Sequence, residues 1–511
     1  MKRLVNGKTA GMAGMMFFFC ASVSAAGAGT DSLRTVQDTL TLRLEQAIDI
    51  ALSESPSVRV ADLEIEKKRY AKKSGESALY PQIDAVGQYS RTLKKQVMYM
   101  DDAFDFNAML SPIVEPLVKG AEQTLAETTP GYAPGTFARN VAANTPPPVD
   151  QGDQGIAVGR DNNWTGGFNV NWAVVAPALW KSLEISSLDV EVAVESARSS
   201  KINMVNAVRK AYYGVLLAMD ARRVLQESYD NAILSHTNIR DKFQQGLVSE
   251  FDLIRADVNV KNIKPDLIQA ENACNLATLS LKALMGIDID RPVAVEGSLL
   301  DYEAGLYAEL VKIDTSLTHN SDLRQFDLQS EQLQKSLELY RAQYYPVIAI
   351  TGNYMYMSMN NDFKFGDYRW NPYSTIGLSI SIPLFDGFKR RNDVRQTKVS
   401  LEQMKWRRED IVRNLKLAID NNINNMTNYV EQVISTRDVV VQAHKGYEIS
   451  RKLYDTGMGT LLDVNNAQLG LTQASLAFNQ AIYNFLVSKA DLDKTLGMNP
   501  DHPVTEQAYL K

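Results

Sequence analysis

Phe243-Gln244-Gln245-Gly246, followed by Asp252 and Ala256, returns later in the chain as Tyr454-Asp455-Thr456-Gly457, followed by Asp463 and Ala467. Each glycine interrupts a run with helical periodicity, so each copy reads as a long helix that turns back into a second helix. The correspondence spreads outward from these turns. Ala78-Leu79-Tyr80-Pro81 with Tyr89 returns as Gln343-Tyr344-Tyr345-Pro346 with Tyr354, and Leu281 with Gly286 returns as Leu492 with Gly497. Landmarks that recur in the same order mark an internal repeat. One unit covers about 42–286 and the other about 308–497, joined by a linker at 287–307 and followed by a tail at 498–511. The first unit is longer because it carries an insertion at 95–163.

Both units change hydrophobic period in the same order. Residues 42–79 read as helix, with Pro56 marking a break. Strands follow at about 81–94 and 164–175, where Ile83, Ala85, Gly87 and Tyr89, then Phe168, Val170, Trp172 and Val174, alternate with mainly polar residues. The second unit repeats this at about 346–359 and 373–385, with Ile376, Leu378, Ile380 and Ile382 on one face. Next come very long helices. Val205, Val208, Tyr212, Val215 and Met219 step by three and four within about 183–245, and Val412, Leu415, Ile419, Ile423 and Met426 do so within about 387–455. Some sixty residues of helix make a rod of roughly 90–100 Å. Return helices are expected at about 250–285 and 460–496. Such lengths imply coiled-coil packing against neighbouring helices.

Residues 1–25 have the layout of a secretory signal: Lys2, Arg3 and Lys8, then the apolar stretch Met12–Val23, then Val23-Ser24-Ala25 as a cleavage site. Cys20 offers a rival, lipoprotein processing, which the bulky Phe19 disfavours. Cleavage leaves Cys274 as the one cysteine, so no intrachain disulfide can form. Losing Lys2, Arg3 and Lys8 takes the formal net charge from -6 to -9, which gives no reason to expect a nucleic-acid partner. No later stretch reads as a membrane-spanning helix, so the chain either stays in the periplasm or enters the outer membrane as strands.

Four strands cannot close a membrane barrel, since the smallest such barrels need about eight, and an open edge in lipid leaves backbone groups unsatisfied. Two copies would supply about eight strands and three about twelve, and a water-filled interior favours the larger number. Tyr80, Trp164, Trp180, Tyr345, Trp370 and Tyr373 lie near strand ends, as interfacial aromatics do. The expected fold is a mixed α and β membrane protein with two internal repeats. A trimeric 12-stranded barrel, four strands per chain, would continue into a helical tube. The alternative is a periplasmic coiled-coil scaffold with a small soluble sheet.

Nearly the whole mature chain resembles the TolC family, the outer-membrane efflux proteins. The motif carrying the match is Tyr454, Gly457, Thr460, Leu461, Leu462 and Asp463, with Val464 and Ala467 following, echoed by Phe243, Gly246, Ser249, Asp252 and Ala256. The resemblance implies a homotrimer in the bacterial outer membrane whose barrel continues as a 12-helix periplasmic α-barrel. It further implies an equatorial belt from the linker and the tail. The implied partners are a periplasmic adaptor protein, an inner-membrane transporter and outer-membrane lipid.

The resemblance also assigns roles at the two turns. Asp463 is the candidate for an acidic ring at the periplasmic entrance, with Asp252 beside it, and Tyr454 and Phe243 as residues that hold the entrance shut. Each has a structural alternative: helix capping for the two aspartates, ordinary interhelical packing for the two aromatics. The family's second entrance aspartate is Asn466 here, and its basic latch residue is Gly459, so the charged gate is reduced. Gly246, Leu247 and Val248, with Gly457, Met458 and Gly459, are the tips on which the adaptor is expected to dock.

No catalytic constellation emerges. His236, His319, His444 and His502 lack metal-ligand spacing, and no Gly-rich phosphate loop is present, so neither a cofactor nor a metal is expected and a partner must supply energy. Pairs such as Asp101-Asp102 read as solvated surface. The insertion joins the two strands of its unit and so belongs at the extracellular mouth, with Thr145-Pro146-Pro147-Pro148 and a short helix around 111–127. It reads as variable decoration, with a pore cap or a surface receptor as alternatives. Three functions remain open: small-molecule efflux, type I protein secretion, and a non-transport scaffold.

Overall fold

The computed structural model describes residues 40–98, 106–144, 156–306 and 315–498. The signal segment, Cys20, Asp101-Asp102, Thr145–Pro148 and the tail beyond Met498 lie outside the described residues.

A short strand β1 (Leu40–Leu42) leads into helices α1 (Leu44–Glu54) and α2 (Pro56–Glu76). Strands β2 (Gln82–Arg91) and β3 (Gln96–Met98) precede helices α3 (Phe106–Thr128) and α4 (Thr136–Asn144), and strands β4 (Ile156–Val158) and β5 (Asn162–Val175) follow. The first long helix pair is α5 (Pro177–Gln244) and α6 (Glu250–Met285), after which β6 (Val293–Val295) begins the connection to the second half. That half holds α7 (Ser321–Ala342), β7 (Val347–Asn360), β8 (Asn371–Ser381), α8 (Lys389–Asp455) and α9 (Leu461–Leu496).

The helices differ from the expected bounds at their starts. The first long helix begins at Pro177 rather than near 183, because proline is well placed in a first turn where its missing N–H leaves no bond unmade. α8 starts at Lys389 rather than 387, after Gly387 and Phe388 both take positive φ to swing the chain out of the sheet. β8 stops at Ser381 rather than 385, just ahead of Pro383, and β2 ends at Arg91 rather than 94. α3 covers the expected 111–127 and extends beyond it despite Pro112 and Pro116. The two-stranded pairing of β3 with β4 in the insertion was not expected.

β2, β5, β7 and β8 form one antiparallel sheet in that order. The register places Ile83 beside Val170, Ala85 beside Phe168, and Phe168 beside Tyr354. Ile350 lies beside Trp172 and Leu378, and Gly352 beside Ile376. The apolar sets of all four strands therefore share one face, and much of it is exposed, Ile376 at 85% and Ile83 at 67%. The opposite face carries Gln82, Asn171, Asn169, Thr351, Asn353 and Thr375. A face of exposed isoleucine and leucine backed by amides is the inverse of a water-soluble sheet packed on a core.

The 68 residues of α5 and 67 of α8 make rods of roughly 100 Å each. α6 folds back on α5 and α9 on α8, with α9 also packed against α5. The main core lies where the far ends of α6 and α9 meet the middle of the rods. It buries Leu216, Leu281, Met285, Met426, Ile482 and Phe485. β1 pairs in parallel with β6 across this waist, so the first unit starts before residue 42 and the linker is structured. Tyr212 locks the pairing by donating to the Glu296 carbonyl at 2.6 Å, and its burial pushes the phenol up to about 12. Asp220, 4% exposed, receives the Leu299 N–H at 2.9 Å and the Ser298 hydroxyl at 3.1 Å.

The repeated Leu and Gly landmarks have a common cause. Gly286 and Gly497 end α6 and α9 in the left-handed conformation, at φ 73° and 71°. A Cβ on Gly497 would lie 1.9 Å from the His319 carbonyl oxygen, and one on Gly286 would lie 2.9 Å from that of Glu54. Each return helix thus ends against the chain beside the start of a short helix (α2 in one half, α7 in the other), and only glycine allows the approach.

Candidate functional site

The two turns lie together at the end of the rods farthest from the sheet. At the first, Gly246 (φ 75°) donates to the Phe243 carbonyl at 2.9 Å and Leu247 to that of Lys242 at 2.9 Å. At the second, Gly457 (φ 76°) donates to Tyr454 at 3.0 Å and Met458 to Leu453 at 2.9 Å. These are paired closures of helix C-termini, completed by glycine in the left-handed region.

Each return helix opens with a reciprocal cap. The Asp252 amide donates to the Ser249 hydroxyl oxygen at 3.2 Å, while the Asp252 carboxylate accepts the Ser249 hydroxyl at 2.7 Å. The Asp463 amide donates to Thr460 Oγ1 at 3.2 Å, and its carboxylate accepts the Thr460 amide at 3.1 Å and hydroxyl at 2.5 Å. The hydroxyl and amide of Thr460 hold the Asp463 carboxyl below the usual carboxylate range. The capping geometry is therefore present at both aspartates. It occupies Oδ2 of each, while Asp463 and its neighbour Asn466 remain exposed.

The aromatic pair separates. Tyr454 packs against a small core of Ile239, Ala256 and Leu461, together with Val248 and Leu253. Its hydroxyl is buried without a hydrogen-bond partner among the described residues, and burial pushes the phenol upward. Lys242 Nζ sits 5.0 Å from the ring centroid. Phe243, at the matching repeat position, is 38% exposed and outside that core.

The tips divide likewise. Leu247 is 69% exposed and Met458 74% exposed, so these two side chains project. Val248 does not belong with them, because it packs under the turn onto the Ile239 core. Gly459 is half-buried, and a Cβ there would lie 3.1 Å from Leu453 Cβ. Any side chain there would press on Leu453 in the preceding helix turn.

Three contacts that tie the hairpins together escaped sequence reasoning. Asn259 Nδ2 donates to Asn465 Oδ1 at 3.3 Å, joining α6 to α9. Gln468, 5% exposed, donates to the Ser228 carbonyl at 2.7 Å. Lys242 over Tyr454 is the third. The only available signal was Gln468 itself, a polar residue four positions after the buried Val464 and so on the same helix face. The site consists of two capped turns, an aspartate in the cap of each, and apolar packing between them.

Residues 150–287 and 313–498 match the family described as "Outer membrane efflux protein". The chain is 19% identical over 369 residues to the outer membrane protein TolC of Vibrio cholerae, covering 67% of this chain and 83% of that one. It is 22% identical over 325 residues to the toluene efflux pump outer membrane protein TtgC of Pseudomonas putida, covering 62% and 65%. Its fold is similar to the crystal structure of the CmeC outer membrane channel of Campylobacter jejuni, with a TM-score of 0.64 at 18% identity, covering 89% of this chain and 85% of that one.

Proposed function

Because this chain belongs to the outer membrane efflux protein family, we propose that it is the exit duct of a tripartite export system, closed as a ring of three copies that passes small molecules such as drugs to the exterior. The observation that carries this reading is a pair of unpartnered flanks. Among the described residues the sheet ends in β2 on one side and β8 on the other, each with one row of backbone groups unpaired, which hydrocarbon does not tolerate. Along the same flanks α2 exposes Val60, Leu63 and Tyr70, and α8 exposes Val399, Trp406 and Leu417. The two flanks differ, so they join head to tail, and a head-to-tail contact that closes makes a ring. Three copies supply about twelve strands, enough for a water-filled interior, and their four long helices each make a twelve-helix periplasmic tube. From Tyr345 to Tyr356, strand rise and a barrel tilt of about 40° give roughly 27 Å, close to the ~25 Å apolar band of such barrels.

In this reading the exposed Leu247 and Met458 meet a periplasmic adaptor, which links the duct to an energised inner-membrane transporter. Three Asp463 carboxylates ring the entrance and favour cations, while Tyr454 closes it by packing. Small-molecule cargo is supported by the family description and by the pump named for toluene.

Purified protein in a planar bilayer is expected to conduct, and the absence of conductance would remove the duct reading in favour of a scaffold. Asp463→Ala should move the reversal potential across a salt gradient toward that of a nonselective pore; an unchanged value would refute the acidic ring. Cells lacking the chain should retain toxic small molecules while still secreting polypeptides, and the opposite pattern would assign the duct to type I secretion.

A further inference from the structure

The end of the sheet away from the long helices carries a built shelf of aromatic rings. The segment 361–370 folds back over the apolar face of the sheet. Phe363 lies 6.3 Å from the Tyr89 ring, Phe365 stands edge-on to Trp164 at 5.1 Å, and Tyr89 packs on Trp164 at 4.3 Å. Asn162, 1% exposed, holds the fold-back: it accepts the Tyr89 hydroxyl at 2.9 Å and donates to the Asp362 carbonyl at 3.2 Å. The Asp161 amide donates to Asn361 Oδ1 at 3.0 Å. Phe363 and Phe365 nevertheless remain more than half exposed.

Cations crowd the same end. Arg91 pairs in register with Asn162, Lys95 bridges to Asp161 at 3.1 Å, and Arg160 donates to Asn360 at 3.1 Å. Lys94, Lys364 and Arg369 complete the group, so the segments 91–95, 160–162 and 361–369 carry six cations against the carboxylates of Asp161, Asp362 and Asp367. Arg91, Lys94, Lys364 and Arg369 make no ion pair among the described residues, although the chain as a whole is acidic, at -6.

We propose that this shelf binds a phosphorylated glycolipid of the outer leaflet, its acyl chains on the exposed apolar sheet face, its sugar rings against the aromatic shelf and its phosphates on the unpaired cations. The inference rests on the barrel reading above, which turns the apolar face toward lipid and this end toward the exterior. An excess of three positive charges over the segments 91–95, 160–162 and 361–369, placed just beyond an apolar and aromatic surface, complements an anionic amphiphile and not a neutral one. A soluble anion would use the cations but leave Phe363, Phe365 and the isoleucine face without a role.

The test uses the full chain in phosphatidylcholine vesicles doped with a bis-phosphorylated diglucosamine lipid or with the same lipid lacking phosphates. Glycolipid retained by the protein after gentle detergent extraction is counted by mass spectrometry. The wild type should retain the phosphorylated form preferentially, and K364Q/R369Q and R91Q/K94Q should each reduce that retention at least roughly tenfold, since each surface cation is worth about fivefold. Equal retention of both lipids by the wild type, or full retention by both variants, overturns the proposal. Conductance and assembly into trimers are measured on the same preparations. If these persist while the lipid preference is absent, this inference alone fails; if they are absent, the barrel reading fails with it.

Discussion

Thr460 and Asp463 form the cap of α9, and the same carboxylate is the one proposed to ring the entrance. Two hydrogen bonds from Thr460 lower the Asp463 value. A depressed native value means that ionised Asp463 stabilises the first turn of α9 at pH above the unfolded-state value of about 3.9, and that this support is lost as pH falls through the native value. Protection factors of the amides of residues 461–464, taken relative to unfolded amides at the same pH, should therefore fall on acidification below about pH 4, and Asp463→Asn should abolish that fall. Protection factors independent of pH in the wild type would argue against the cap. The glycines that end α6 and α9 make a second case. Gly497→Ala and Gly286→Ala each incur about 1–2 kcal/mol for a left-handed alanine. The nearer backbone oxygen at 1.9 Å, against 2.9 Å, makes Gly497→Ala the costlier of the two. Thermal unfolding of both variants checks the order.

Tyr454 and its surroundings belong to the helix hairpins. Its hydroxyl has no partner among the described residues while its ring packs on Ile239, Ala256 and Leu461, so packing rather than hydrogen bonding should close the proposed entrance. Tyr454→Phe is expected to leave conductance unchanged and to alter stability by less than about 1 kcal/mol. Tyr454→Ala should cost about 2 kcal/mol and raise conductance. If Tyr454→Phe also opens the channel, the hydroxyl bonds across copies and the packing account is wrong. The hairpins themselves were legible because uninterrupted three-and-four spacing over sixty residues has no other stable reading. Their starts were not, because Pro177, Gly387 and Phe388 act through local backbone geometry that apolar spacing does not encode.

In the proposed ring, closure depends on both flanks together. Trp406, 66% exposed on α8, is expected to be covered by the next copy. Trp406→Asp should raise the monomer fraction in native mass spectrometry without changing helical content, whereas an unchanged trimer would place Trp406 outside the contact.

The strand faces and the long rods were readable from residue order, because periodicity and glycine placement are local properties that the chain carries everywhere along its length. The pairing of β1 with β6, the burial of Val248, the exposure of Phe243 and the bond from Gln468 to Ser228 were decided by tertiary structure. Phe243 and Tyr454 occupy matching repeat positions, yet one packs inward and the other faces out. The two halves are alike in pattern but unlike in neighbours, and a side chain's burial is set by what stands across from it.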